Sequence, residues 1–159
     1  SKADVAAAAH APGLMVLRLE GFGPSVQARV KLLEAMGLKV LDEGAARDFW
    51  QACRNPLPAA KTLWRISVPA SRAPDVVAGL GGDWRMDWAG GLIWADSQDA
   101  EGLRGLARAA GGHAMLMRAP EALRAEVPAL HPQLPGVAAL ETRVRRAFDP
   151  LGVFETERF

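Results

Sequence analysis

Glycine and proline cut this chain into short pieces, and the pieces switch hydrophobic period from two to about 3.6 and back. With 16 Gly and 11 Pro in 159 residues, neither a long helix nor a long strand can run. Residues 14–20 put Met15, Leu17 and Leu19 on one side and Val16, Arg18 and Glu20 on the other, which predicts a strand. Residues 62–68 alternate likewise: Trp64, Ile66 and Val68 against Leu63, Arg65 and Ser67. In residues 83–88, Trp84, Met86 and Trp88 oppose Asp83, Arg85 and Asp87. Shorter strands are expected at 38–41, 92–95 and 113–117. Between them lie helical stretches: about 26–36 after a possible cap at Ser25, 45–54, 71–80, one capped by Ser97 and stopped by Gly111-Gly112, a turn near 121–125, and 137–148. The last is expected to turn Val137, Leu140, Val144 and Phe148 inward.

Residues 83–95 read as a hairpin. The order therefore favours an α+β layer: a mixed or antiparallel sheet, ferredoxin-like, of about five to seven strands with helices mainly on one face. Residues 1–13, with their Ala run and Pro-Gly end, have no packing pattern and read as a linker. Residues 14–159 read as one domain.

Composition removes several function classes. Half the residues are hydrophobic, which argues against disorder. A net charge of +1 with dispersed cations gives no field to draw nucleic acid or an anionic membrane. The single cysteine, Cys53, rules out an internal disulfide and any zinc or iron–sulfur set built from cysteines. That usage fits a cytoplasmic compartment, and no apolar run has the ~20 residues of a span.

No phosphate-cradling P-loop, metal-binding helix motif or G-x-G-x-x-G spacing occurs. The glycine pairs sit at element boundaries, where turn geometry explains them. His113 opens a strand. It is either an edge histidine without a chemical role or a base or donor beside a substrate. Trp64, Trp84 and Trp88 share a parity, so they fill a core or form a wall against a flat ring. Arg18 and Arg65 lie mid-strand opposite the apolar faces. They face solvent, unless another domain covers that sheet face. In that case their guanidinium forks suit a carboxylate.

The tail Arg143-Val-Arg-Arg-Ala-Phe-Asp-Pro-Leu-Gly-Val-Phe154 resembles the C-terminus of FAD-linked oxidases of the vanillyl-alcohol-oxidase type. Residues 17–29 and the Asp48-Phe-Trp…Arg54 element resemble the cap domain of that family, and Leu63-Trp-Arg-Ile-Ser-Val-Pro69 and Asp87-Trp-Ala-Gly-Gly91 with Trp94 resemble in particular the FAD-binding subunit of bacterial glycolate oxidase. Ala110-Gly-Gly-His-Ala114 does so too, and together the matches span most of residues 14–159.

The resemblance implies a cap over a flavin whose FAD sits mainly in an N-terminal domain of the same protein. It implies oxidation of glycolate and similar small 2-hydroxy acids within a complex that includes an iron–sulfur subunit, which would also supply any membrane association. It maps Arg65, His113 and Trp64 near the substrate, with Arg18 a further candidate there, and Arg158 onto the basic residue that ends the family's tail. Glu155-Thr-Glu157 departs from the Asn-Pro-Gly usual there.

By itself, such a cap is expected to be inactive and to bind no FAD tightly. It should expose a sheet face lined by Arg18, Arg65, Val16 and Leu63, with homodimer contacts as one outcome. The alternative class is an α+β ligand-binding or interaction module without redox chemistry.

Overall fold

The computed structural model describes residues 4–154. Its first element corrects the linker reading. Ala7–Ala11 is strand β1, paired antiparallel with β2, Leu14–Arg18, across Pro12-Gly13. Proline fixes its own φ near −65° and Gly13 sits at φ 77°, the combination a type II turn needs. The Ala run carries no hydrophobic period because its partners want small side chains. Ala9 is buried against Val16 and Phe49, while His10 points the other way, edge-on to Trp84 at 5.1 Å.

Helix α1, Gly23–Glu34, begins two residues before the expected cap, with Pro24 in its first turn. After it Leu38–Leu41 is not a strand: its backbone joins no ladder. Gly37 at φ 90° and the Leu38 N–H donation to Leu33 O fold that segment back against the end of α1. Helix α2, Glu43–Arg54, is capped by Asp42, whose carboxylate accepts from the Ala45 N–H at 2.9 Å.

A β-α-β-β-α-β unit follows: β3 Leu63–Ser67, a 3₁₀ turn and α3 Ala73–Ala78, β4 Trp84–Asp87, β5 Leu92–Asp96, α4 Ala100–Ala109 and β6 His113–Arg118. The six strands form one antiparallel sheet in the order β2-β1-β4-β5-β3-β6. Its last four strands have the split, ferredoxin-like arrangement, so the α+β reading holds. Helix α4 is capped by Asp99 rather than Ser97. Asp99 accepts from Gly102 N, and the Ser97 hydroxyl accepts from Asp99 N.

Helices α3 and α4 lie on one sheet face. There Trp64, Ile66, Val68, Ile93, Ala95, Ala114 and Leu116 meet Ala73, Val76, Leu103, Ala107 and Ala110. The turn from α4 into β6 passes close to the end of β3: a Cβ on Gly112 would clash with Ser67 O. Helix α2 covers the opposite face, but only at the β1–β2–β4 end, through Phe49, Trp50 and Cys53.

Beyond β6 come α5, Glu121–Glu126, and α6, Pro135–Phe148. The expected inner stripe of α6 is instead exposed: Val137, Leu140, Val144 and Phe148 all face out. No helix of the described residues is long and apolar enough to cross a membrane.

Candidate functional site

The sheet face away from α3 and α4 carries the polar candidates. Arg65 sits at the middle of β3, half-buried, in register with Trp94 of β5 on one side and Met115 of β6 on the other. Trp94 is in register with Arg85 of β4. One cross-strand row therefore reads Arg85, Trp94, Arg65, Met115. Ser67 and the exposed His113 form the next row on the same face. Cross-strand neighbours on one face are close enough to act together.

Trp88 closes over this row. Parity with Trp84 and Met86 predicted it for the opposite face, but β4 ends at Asp87. Trp88, Ala89 and Gly90 then take φ of 53°, 54° and 98°. The left-handed region costs a non-glycine residue about 1–2 kcal/mol, and two such residues in succession are unusual. The turn is held by Asp87, whose carboxylate accepts the Trp88 N–H at 2.7 Å, and by Gly91 N–H donation to Trp88 O at 3.0 Å. It carries the exposed indole to the Arg65 guanidinium, 5.3 Å from the ring centroid, within cation–π range.

Among the described residues no carboxylate pairs with Arg65 or Arg85. Arg85 lies under α2, its guanidinium over the Phe49 ring at 5.5 Å and Nη1 at 3.6 Å from Cys53 Sγ, while its Nε has no partner. The face thus offers a fixed, unpaired cation on a rigid strand, walled by two indoles. That arrangement can hold a small carboxylate against a flat surface.

Other expected site residues lie elsewhere. Trp64 is wholly buried under α3 and α4, its Nε1 donating to Ser97 O at 2.9 Å. It is core because its parity, opposite to Arg65, sends it to the helix side. Arg18 is four strands from β3 in the sheet order, about 19 Å at ~4.8 Å per strand, and is exposed in an ion pair with Glu20. Val16 and Leu63 are buried, so neither lines an open face. Arg158, with residues 155–157, lies outside the described residues. On the β5–β3–β6 half of that face Leu63 and Leu92 are buried, Arg65, Ser67, Trp94 and Met115 are half-buried and His113 is exposed, so it is only partly open. Neither Trp94 nor Arg85 was a site candidate in the sequence, although Trp94 belongs to a stretch that carries the resemblance. The strand registers, which set Trp94 between Arg85 of β4 and Arg65 of β3, are the signal that finds them.

Close packing accounts for three of the glycines at element boundaries. Gly79, Gly82 and Gly112 are packed against Leu106, Asp96 O and Ser67 O, at distances that leave no room for a Cβ.

A second feature is an open apolar cavity of about 550 Å³ beside edge strand β2. It is lined by Met15, Leu17 and Leu19, by Val26, Val30 and Leu33 of α1, and by residues 38–41 and Trp50. The chain matches no family model, no curated protein and no solved structure.

Proposed function

We propose that this chain is the substrate-side cap domain of an FAD-dependent oxidase or dehydrogenase of small 2-hydroxy acids such as glycolate. In this reading the FAD is held by a separate N-terminal domain, within an assembly that includes an iron–sulfur subunit. The observation that carries the reading is Arg65: a mid-strand cation, half-buried and unpaired among the described residues, beneath Trp88 on the sheet half that no helix buries. A cation there binds both oxygens of a substrate carboxylate at any working pH. Trp88 and Trp94 restrict how the rest of the acid lies and keep water from it. Flavin supplies the oxidation itself and comes from outside this chain.

The test is steady-state kinetics after combining the chain with its FAD-holding domain. Arg65→Met keeps most of the bulk and removes the charge. Loss of one charge-assisted pair is about 2–3 kcal/mol, or about 30- to 150-fold in kcat/KM. An unchanged kcat/KM removes Arg65 from the site. By itself the purified chain is expected to be colourless and to gain no flavin absorbance with added FAD; sub-micromolar binding contradicts that.

The cavity beside β2 favours a second reading, a ligand-binding module without redox chemistry, since its size is that of a small-molecule pocket. Saturable binding of an apolar ligand, with no turnover alongside any FAD domain, selects it.

A further inference from the structure

Arg104 is the most deeply buried charge on the helix side of the sheet, at 8% exposure. It sits mid-α4 with its guanidinium over the Trp64 ring at 5.3 Å. Nη2 donates to Pro128 O and, at 2.9 Å, to Leu130 O, while Nε has no partner. Among the described residues no carboxylate pairs with it. Carbonyl dipoles satisfy donors but do not neutralise charge, and a buried cation without an anion is costly. Desolvation accordingly holds the Arg104 pKa below its ordinary value.

Arg104 also lines a groove of about 380 Å³ between α4 and residues 126–132. Arg108, one turn further along α4, lines the same groove. Glu101 and Glu126 stand on its walls. They limit the negative charge the groove can take, which favours one monovalent group over a dianion. Ala100, Val127, Pro128 and Pro132 leave apolar space beside the cations.

We propose that this groove is a binding site for the carboxylate end of a small molecule, with Arg104 and Arg108 as the cations and the apolar wall taking its first carbons. It lies across the sheet from Arg65 and does not depend on the function proposed for that face.

His131 reports on the groove. Its Nδ1 accepts from Ala114 N at 3.2 Å. Its pKa is held low by burial first, then by Arg104, Arg108 and His113. An anion between the two arginines offsets their field and raises the His131 pKa. By linkage, acetate then binds more tightly as pH falls through that titration.

The experiment follows the His131 imidazole by NMR while the 159-residue chain is titrated with sodium acetate, inorganic phosphate or sodium chloride at matched ionic strength. The expected result is a saturable shift with acetate, a raised His131 pKa, and about fivefold weaker binding in Arg108→Gln, a rim change that leaves the core intact. Arg104→Lys, keeping charge but losing the fork, weakens acetate further if it folds. Acetate shifts no larger than those of chloride, or acetate affinity unchanged in Arg108→Gln, overturn the site. Tighter phosphate than acetate overturns the carboxylate class.

Discussion

The unit from β3 to β6 and the elements flanking it are built from similar sequence, yet only the unit closes on itself. In the unit, each strand puts one face under α3 or α4, and Trp64, Ile66, Ile93, Ala107 and Ala114 are sealed completely. In the flanks, α1 and α6 bury no residue, although both carry Val and Leu at helical spacing. Amphipathic pattern makes a helix; it does not supply the surface that the apolar stripe needs. The split topology supplies that surface by crossing each helix over two strands. An edge strand with an open cavity on one side, or a terminal helix beyond the sheet, lacks it. The contrast also says where a partner domain would add most: on the flanks and on the half-open face around Arg65.

The largest test of the contrast is a cavity in the sealed unit. Ile93 is 0% exposed at the centre of the sheet, between strands β4 and β3. Ile93→Ala should cost about 2–5 kcal/mol, read as a lowered urea midpoint with an unchanged slope. A loss below about 1 kcal/mol would show that the unit is as loosely held as the flanks and erase the distinction.

Much of the unit was legible in the sequence because its strands alternate cleanly and its elements are separated by Pro69, Gly90-Gly91 and Gly111-Gly112. Period and punctuation there agree. Strand β1 was not legible, since Ala7-Ala-Ala-His-Ala11 has no large apolar residue whose period could be read. Residues 38–41 look like a strand by composition, but a strand also needs an edge to pair with, and the turn at Gly37 sends this segment elsewhere. The candidate face was legible at Arg65, whose parity opposes the apolar residues of its strand; His113 was read only as opening a strand, and it is the β3–β6 register that sets it beside Ser67. Trp88 was misplaced because alternation was carried past the strand's end into a left-handed turn. Trp64 was misassigned as a site residue although its parity opposes that of Arg65. Arg104 gave no signal at all: an Arg within a helix looks solvated until the chain folds residues 127–131 over it.

A smaller effect probes the seam between the unit and the C-terminal flank. Residues 127–131 cover the outer edge of β6 through Leu116 N–H donation to Ala129 O and the Ala114–His131 bond, shielding an edge that could otherwise pair with another chain. The His131 bond needs a neutral Nδ1. Its folded pKa lies below the ordinary value near 6.5, so the unfolded chain takes up the proton first as pH falls. This contribution is therefore full above about pH 6.5 and is lost as pH drops from there through the folded pKa. Its size is bounded by one hydrogen bond, about 1 kcal/mol. Urea midpoints should fall across that window in the wild type and less in His131→Gln. A rise on acidification, or an identical slope in the variant, breaks the seam.

The smallest expected effect lies at the far flank, and it tests the contrast most directly. Leu140 sits mid-α6 with 57% of its surface exposed, so changing it removes almost no buried area. The helix keeps its other supports: Arg145 donates to Glu141 at 2.8 Å one turn away, and the Asp149 carboxylate receives the Val153 and Phe154 N–H groups beyond its end. Leu140→Gln swaps one good helix former for another. The change should therefore stay within about 0.5 kcal/mol, measured by the same urea midpoint as Ile93→Ala. A loss above about 1 kcal/mol would mean that the stripe of Val137, Leu140 and Val144 is packed against the chain's own surface in solution. The flank would then be part of the core, and a helix that buries no residue here would need a surface of its own chain to pack on.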